Sequence, residues 1–223
     1  CVSFSTLESN LQAALELVSE ILTKTDFTEE AEIRSLLRQQ VEMDRDQLVM
    51  AGHSAAIRRV SAQFTAEGAV NEYAGGFEAY LWKKRQEEDS QGLSTLLTDL
   101  YHRAFQRTGL TLSVTGSDGY AEAIASAFSA LPQGAAMAPA EIQPFGNHKE
   151  GIVIPADICF AVRGGSIGAY SGDLALSAKI VSLAYLWNTI RVTGGAYGTG
   201  MMIRPSGALY CYSYRDPGGV RSL

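Results

Sequence analysis

The sequence predicts an α+β fold, a helical layer plus an antiparallel-type sheet, arranged as one partial domain followed by the start of a second. Three observations predict it. Apolar side chains recur at helical three-four spacing through almost all of the first 107 residues. At Gly109 the period changes from that of a helix to that of a strand. A stretch rich in Pro, Gly, Ala and Gln, containing Pro132, Pro139 and Pro144, then separates the helical part from a strand–helix–strand–strand segment. The expected division is therefore residues 1–131, an interdomain linker at 132–150, and residues 151–223.

Each element has its own signal. Leu11, Ala14, Leu15, Val18, Ile21 and Leu22 form one apolar stripe. Thr25, Asp26 and Thr28 supply stop and capping chemistry before a second helix carrying Ile33, Leu36, Leu37, Val41 and Leu48. Gly52 breaks that helix, and Ser54 is expected to cap a third with Ile57, Val60 and Phe64 on its buried side. Gly75-Gly76 interrupts the next segment, and Lys83 to Ser90 reads as a solvated charged run. Leu93, Leu96, Leu97, Leu100, Tyr101, Ala104 and Phe105 make the cleanest amphipathic pattern of the chain.

Beyond Gly109, Leu110, Leu112 and Val114 alternate with Thr111, Ser113 and Thr115, which predicts a half-buried strand. A short helix is expected from Tyr120 to Leu131, after a turn at Gly116-Ser117-Asp118. Ile152–Ile154 and Ile158–Val162 predict a strand pair or one long bent strand. Ser171 or Asp173 should cap a helix whose buried stripe is Leu176, Ile180, Leu183, Trp187 and Ile190. Strands over Tyr197–Ile203 and Ala208–Tyr214 follow, joined by a turn at Pro205-Ser206-Gly207.

Hydrophobic residues make up 46% of the 223-residue chain and charged residues 19%, a balance that can bury a core. The net charge of −6, with no basic block, argues against nucleic acid as a partner. Lys179, Ser182 and Asn188 interrupt the best apolar stretch, so no segment approaches the roughly 20 residues of a membrane span. The chain begins with Cys1 rather than methionine and reads as a piece of something larger. Cys1, Cys159 and Cys211 form no paired motif. Cys159 and Cys211 fall in apolar runs, where buried free thiols are expected. Localisation is otherwise unspecified, but a reducing compartment fits best, either bacterial cytoplasm or an organelle interior.

Among chemical motifs, neither His-Glu-x-x-His nor its inverse His-x-x-Glu-His occurs. His53, His102 and His148 read as surface or capping histidines, so no metal site is expected within this chain. Gly164-Gly165-Ser166-Ile167-Gly168 lacks the spacing of a dinucleotide fingerprint and the lysine of a phosphate loop, and reads as a flexible strand-to-helix connection. The sequence around Ser171 is not a nucleophile elbow, because its serine is one position off. Arg191 and Tyr197 remain, separated by the glycine turn Gly194-Gly195. They admit two readings. Arg191 can neutralise the C-terminal dipole of its own helix, with Tyr197 a strand aromatic. Alternatively the guanidinium and phenol converge on a carbonyl or oxyanion, with Gly194 and Gly195 allowing close backbone approach and hinge freedom.

Arg191-Val192-Thr193-Gly194-Gly195-Ala196-Tyr197-Gly198 and, downstream, Ser213-Tyr214-Arg215-Asp216-Pro217 resemble the C-terminal half of an insulinase-family (pitrilysin) zinc metallopeptidase, on the presequence-protease and falcilysin branch. Ser9 to Thr28, Gly52-His53-Ser54-Ala55 and Leu110 to Gly116 agree in order and spacing with the end of that family's third domain, so the resemblance runs along nearly the whole chain. It implies two halves, each of two similar α/β domains, closing around a chamber. Residues 1–131 would end the third domain and 151–223 would begin the fourth, which should continue further. It implies zinc as the parent's cofactor, bound by the N-terminal half of the same polypeptide and not by this part. Unfolded peptides would be the substrates. It also implies that Arg191 and Tyr197 reach across to substrate, so that this part supplies substrate-binding and oxyanion-stabilising groups but is inactive alone. The alternative is a non-catalytic scaffold or binding half whose zinc motif has been lost.

Overall fold

The computed structural model describes residues 2–116, 118–136 and 138–223. Eight α-helices and a three-stranded antiparallel sheet are found among these residues, which makes the fold α+β as expected. The helices are α1 Leu11–Lys24, α2 Glu30–Met50, α3 Gly52–Phe64, α4 Ala66–Gly75, α5 Phe77–Glu88, α6 Leu93–Ala104, α7 Ala121–Ala127 and α8 Gly172–Ile180. The strands are β1 Phe160–Ser166, β2 Gly198–Ile203 and β3 Ala208–Tyr214.

The chain forms two compact units that are not contiguous in sequence. The first takes residues up to Ser35 together with Ser90–Pro139. Leu15, Val18 and Leu22 from α1 pack with Ile124, Phe128 and Leu131 from α7 and the turn after it. The Tyr101 hydroxyl of α6 donates to the Ile21 carbonyl at 2.9 Å and accepts the Thr25 N–H at 3.1 Å, pinning the end of α1. Asp26 accepts both the N–H and the hydroxyl of Thr28, which is the capping chemistry read from that turn. The strand expected at Leu110–Val114 does not form. Leu110, Leu112 and Val114 are exposed, and among the described residues no strand of this unit stands ready to complete a ladder. Alternation alone cannot satisfy backbone N–H and C=O groups without a neighbouring strand. Cys1, Ser117 and Met137 lie outside the described residues, so the expected turn at Ser117 is not described.

The second unit takes Leu36–Asp89 and Ala140–Leu223. Its sheet has the order β1-β3-β2, with β3 in the centre. Phe160 and Gly198 both pair with Tyr214, so the far ends of the three strands are flush. The hairpin turn falls at Pro205-Ser206-Gly207 as expected, closed by Gly207 N–H to the Arg204 carbonyl at 2.9 Å. Residues 152–154 are not a strand, and β1 runs through Gly164 and Gly165, where the sequence predicts a flexible loop. Helix packing is the reason for the second correction. A Cβ on Gly164 would sit 2.6 Å from Val60 Cγ1, and one on Gly52 would sit 2.4 Å from the Phe160 ring. Bare backbone at these positions lets α3 lie directly on β1. Ser54 does not cap α3, which already begins at Gly52.

The segment expected as a linker carries specific bonds. The Phe145 N–H donates to the Ala62 carbonyl, and the His148 N–H to Gln63 Oε1. Arg59, 12% exposed, donates to both oxygens of Glu150 at 2.7 Å and to Glu78 at 2.8 Å, with Glu72 at 3.4 Å. Glu72 is fully buried and accepts the first N–H groups of α5, from Phe77 and Glu78. One guanidinium therefore ties together α3, α4, the start of α5 and the segment near residue 150. The hydrogen bonds from Arg59 hold the Glu150 carboxyl below its ordinary range.

Ser171 caps α8, accepting the Leu174 N–H. Beyond Ile180 the helix widens into π geometry over Val181–Thr193. The predicted face is not the buried one. Leu176, Ile180, Leu183 and Trp187 are exposed, and Ala178, Leu186 and Ile190 are buried instead. Ser182 on that same i,i+4 row accepts the Met201 N–H at 2.8 Å and lies 3.1 Å from the Met201 carbonyl. Those contacts occupy the outer edge of β2, so the row carrying Ser182 must face the sheet. Of the stripe read from sequence, only Ile190 points to the core.

Candidate substrate-contacting site

The π-helical segment ends where Arg191 and Tyr197 stand. The Gly194 N–H reaches the Thr189 carbonyl and the Gly195 N–H the Arg191 carbonyl, both at 3.0 Å. A Cβ on Gly194 would lie 2.6 Å from the Ile190 carbonyl oxygen, and Gly195 has φ +81°. Both positions demand glycine, the first for space and the second for its left-handed backbone. The buried Ala196 then donates its N–H to the Ile190 carbonyl, and the chain emerges at Tyr197 directly before β2.

Arg191 and Tyr197 come from the same turn, but their side chains part. The Arg191 guanidinium lies over the Trp187 ring one turn back, 4.0 Å from its centroid. The Tyr197 ring is 62% exposed and meets Tyr214 edge to face at 5.6 Å. Among the described residues no hydrogen bond joins the two side chains, and neither has a carboxylate at ion-pair distance. What the arrangement offers is a fixed, solvent-facing phenol O–H and a separate guanidinium on an aromatic ledge, both free to donate to an oxygen-rich ligand.

Behind Tyr197 stands a row of aromatic rings that sequence reasoning missed. The Tyr214 ring crosses Gly198, where an added Cβ would meet it at 2.2 Å, and Tyr212 lies over Gly200 in the same way. His53 of α3 stacks on Tyr214 at 4.8 Å and on Tyr212 at 6.0 Å. It is thus a half-buried stacking residue and not the surface or capping histidine expected. Its Nδ1 is buried without a hydrogen-bond partner among the described residues, and burial pushes its pKa down. Burial pushes the Tyr212 phenol up. The only sequence signal for this row was the period-two run of tyrosines at 210, 212 and 214, which places three rings on one face of β3.

A hollow of about 830 Å³ lies between α3, α4 and the β2–β3 hairpin, walled by His53, Arg58, Asn71, Arg204 and Tyr212. Neither Arg191 nor Tyr197 lines it. His148 sits at the Arg59 cluster, 3.6 Å from Glu150, and His102 lies in the last turn of α6. Cys159 and Cys211 are free thiols, as expected, but half-buried where buried ones were expected. Zinc finds no fitting set of ligands here: among the described residues no group of three His, Cys, Asp or Glu side chains is placed to hold a metal ion. None of the described helices is long and apolar enough to cross a membrane.

Comparison with known proteins defines the class. Residues 1–85 match the family described as associated with peptidase family M16, subgroup C. The chain is 28% identical over 97% of its length to Protein HypA of Clostridium perfringens, covering 23% of that protein. It is therefore related to the insulinase-type (M16) peptidases, in agreement with the motifs around Arg191 and Tyr214. Within them it is similar to the presequence proteases. The identity is 26% over 93% of the chain to presequence protease 1, chloroplastic/mitochondrial, of Arabidopsis thaliana, and 24% over 97% to the mitochondrial presequence protease of Yarrowia lipolytica. The chain spans only 20% and 24% of those two proteins.

Proposed function

We propose that this chain is the substrate-contacting part of a zinc-dependent metalloendopeptidase that degrades unfolded peptides. The observation that carries the reading is Tyr197, an exposed phenol fixed at a glycine turn in which Gly194 leaves no room for a Cβ and Gly195 adopts a left-handed backbone. The relatives named as presequence proteases support the peptidase class. In this reading the metal is held by the N-terminal half of the same polypeptide, outside the residues of this chain. The chain's own residues bind and orient the peptide. The Tyr197 O–H donates to the substrate oxygen on which negative charge develops, and Arg191 donates to a neighbouring carbonyl or carboxylate.

The family's domain division belongs to the same proposal, with 1–131 ending a third domain, 132–150 linking, and 151–223 opening a fourth. The compact units cut the chain at other points. An organelle interior or bacterial cytoplasm suits both the free thiols and the names of the relatives. The test is steady-state cleavage of an unfolded peptide by the intact polypeptide. Tyr197→Phe should lower kcat about 100-fold while KM changes little, as for loss of one oxyanion donor. A variant that turns over at the wild-type rate would remove Tyr197 from the reaction.

A further inference from the structure

The motif Ser213-Tyr214-Arg215-Asp216-Pro217 supports the resemblance, yet its arginine has no task in the proposed reaction. Arg215 has φ +47°, and it is the one residue other than glycine with positive φ among the described residues. Long side chains avoid that region, so the surroundings must impose it. Two backbone bonds do so. The Arg215 carbonyl accepts the Tyr197 N–H at 3.2 Å, and the next N–H, from Asp216, donates to the Cys159 carbonyl at 3.0 Å. Asp216 is 1% exposed and holds the turn from below, its Oδ1 accepting the Gly218 N–H at 2.7 Å.

The forced conformation brings the Arg215 guanidinium to 5.9 Å from the centre of the Tyr197 ring. The side chain stays exposed, and no carboxylate lies at ion-pair distance among the described residues, the buried Asp216 included. The strained backbone leaves the exposed guanidinium with one side-chain contact on view among the described residues, the face of the Tyr197 ring. The guanidinium lies over the exposed Tyr197 ring with no carboxylate among the described residues to claim its N–H groups, and it presents the forked donors that a carboxylate accepts best.

We propose that Arg215, held against the Tyr197 ring, is a further substrate-binding residue, whose guanidinium captures a carboxylate of the peptide and so biases the site towards anionic peptides. The proposal rests on the peptidase reading. The carboxylate comes either from the C-terminus or from an Asp or Glu side chain of the peptide. Three otherwise identical unfolded peptides separate these sources: one with a free C-terminus and no acidic side chain, one amidated and neutral, and one amidated with a single internal Glu.

With the intact polypeptide, Arg215→Gln should raise KM about tenfold for whichever carboxylate-bearing peptide the site selects, leaving the neutral amide within twofold and kcat nearly constant. Arg215→Gly relieves the positive φ while removing the guanidinium. It should show the same selective loss, which separates recognition from a folding defect. An equal change for all three peptides, or no change for any, overturns the inference. Tyr197→Phe measured alongside distinguishes the two failures. If it is silent as well, the assignment of the Tyr197 turn as the substrate-contacting site falls with the inference. If it lowers kcat while both Arg215 variants are silent, the inference alone falls.

Discussion

Single residues at the junction carry the account because their backbone and surroundings leave them few alternatives. Gly195→Ala places a Cβ at φ +81° and should cost about 1–2 kcal/mol, read as a lower midpoint in urea. His53 makes the corresponding point about charge. Its folded-state pKa is depressed by burial below the ordinary 6.5. The unfolded chain therefore takes up the proton first as pH falls, and the stability this group contributes is present above 6.5 and lost as pH drops through its lowered folded value. His53→Phe should keep the stack on Tyr214 and remove that loss, as followed by thermal midpoints between about pH 7 and pH 5. Part of this junction was legible in the residues. Gly194-Gly195 announced a tight turn, and Arg191 and Tyr197 stood out as the polar groups flanking it. The stacking of His53 on Tyr214 was not legible, because its partners lie far along the chain and only the folded sheet brings them under α3.

Elements show where local pattern suffices and where it does not. The β2–β3 hairpin formed as read, since its turn residues and alternation agree with each other. Leu110–Val114 has the same alternation and is no strand, because nothing pairs with it. The long C-terminal helix was placed correctly but turned wrongly. Leu176 and Ile180 are already exposed before the helix widens at Val181, and it is the Ser182–Met201 contacts that decide which row faces β2. Ser182→Ala should leave the Met201 N–H unpaired and cost about 1–3 kcal/mol, with faster amide exchange along β2 as the specific sign. Arg59 is the equivalent for the helical side of this unit. Arg59→Met strands the buried Glu72 carboxylate without its cation and should cost about 3–5 kcal/mol by urea titration. Glu150 adds a second acid window. Its lowered pKa means that its contribution is present above the ordinary 4.5 and is lost as pH falls through the folded value.

At the scale of the molecule, each compact unit has its own core, and the candidate site lies wholly within the second. Leu15, 1% exposed, anchors the first core, and Leu15→Ala should destabilise it by about 2–5 kcal/mol, seen as faster amide exchange in α1 and α7. Matches to peptidase relatives run through both units, but they extend over at most a quarter of each of the relatives compared above. An unfolded peptide is accordingly expected to touch the turn that carries Tyr197. The most direct measurement is photo-crosslinking of an unfolded peptide bearing one photoreactive residue to the intact polypeptide, with the attached sites mapped by mass spectrometry. The account predicts adducts concentrated at Gly194–Tyr197 and at Arg215. Adducts confined to the helices of the first unit, with none on that turn, would contradict it.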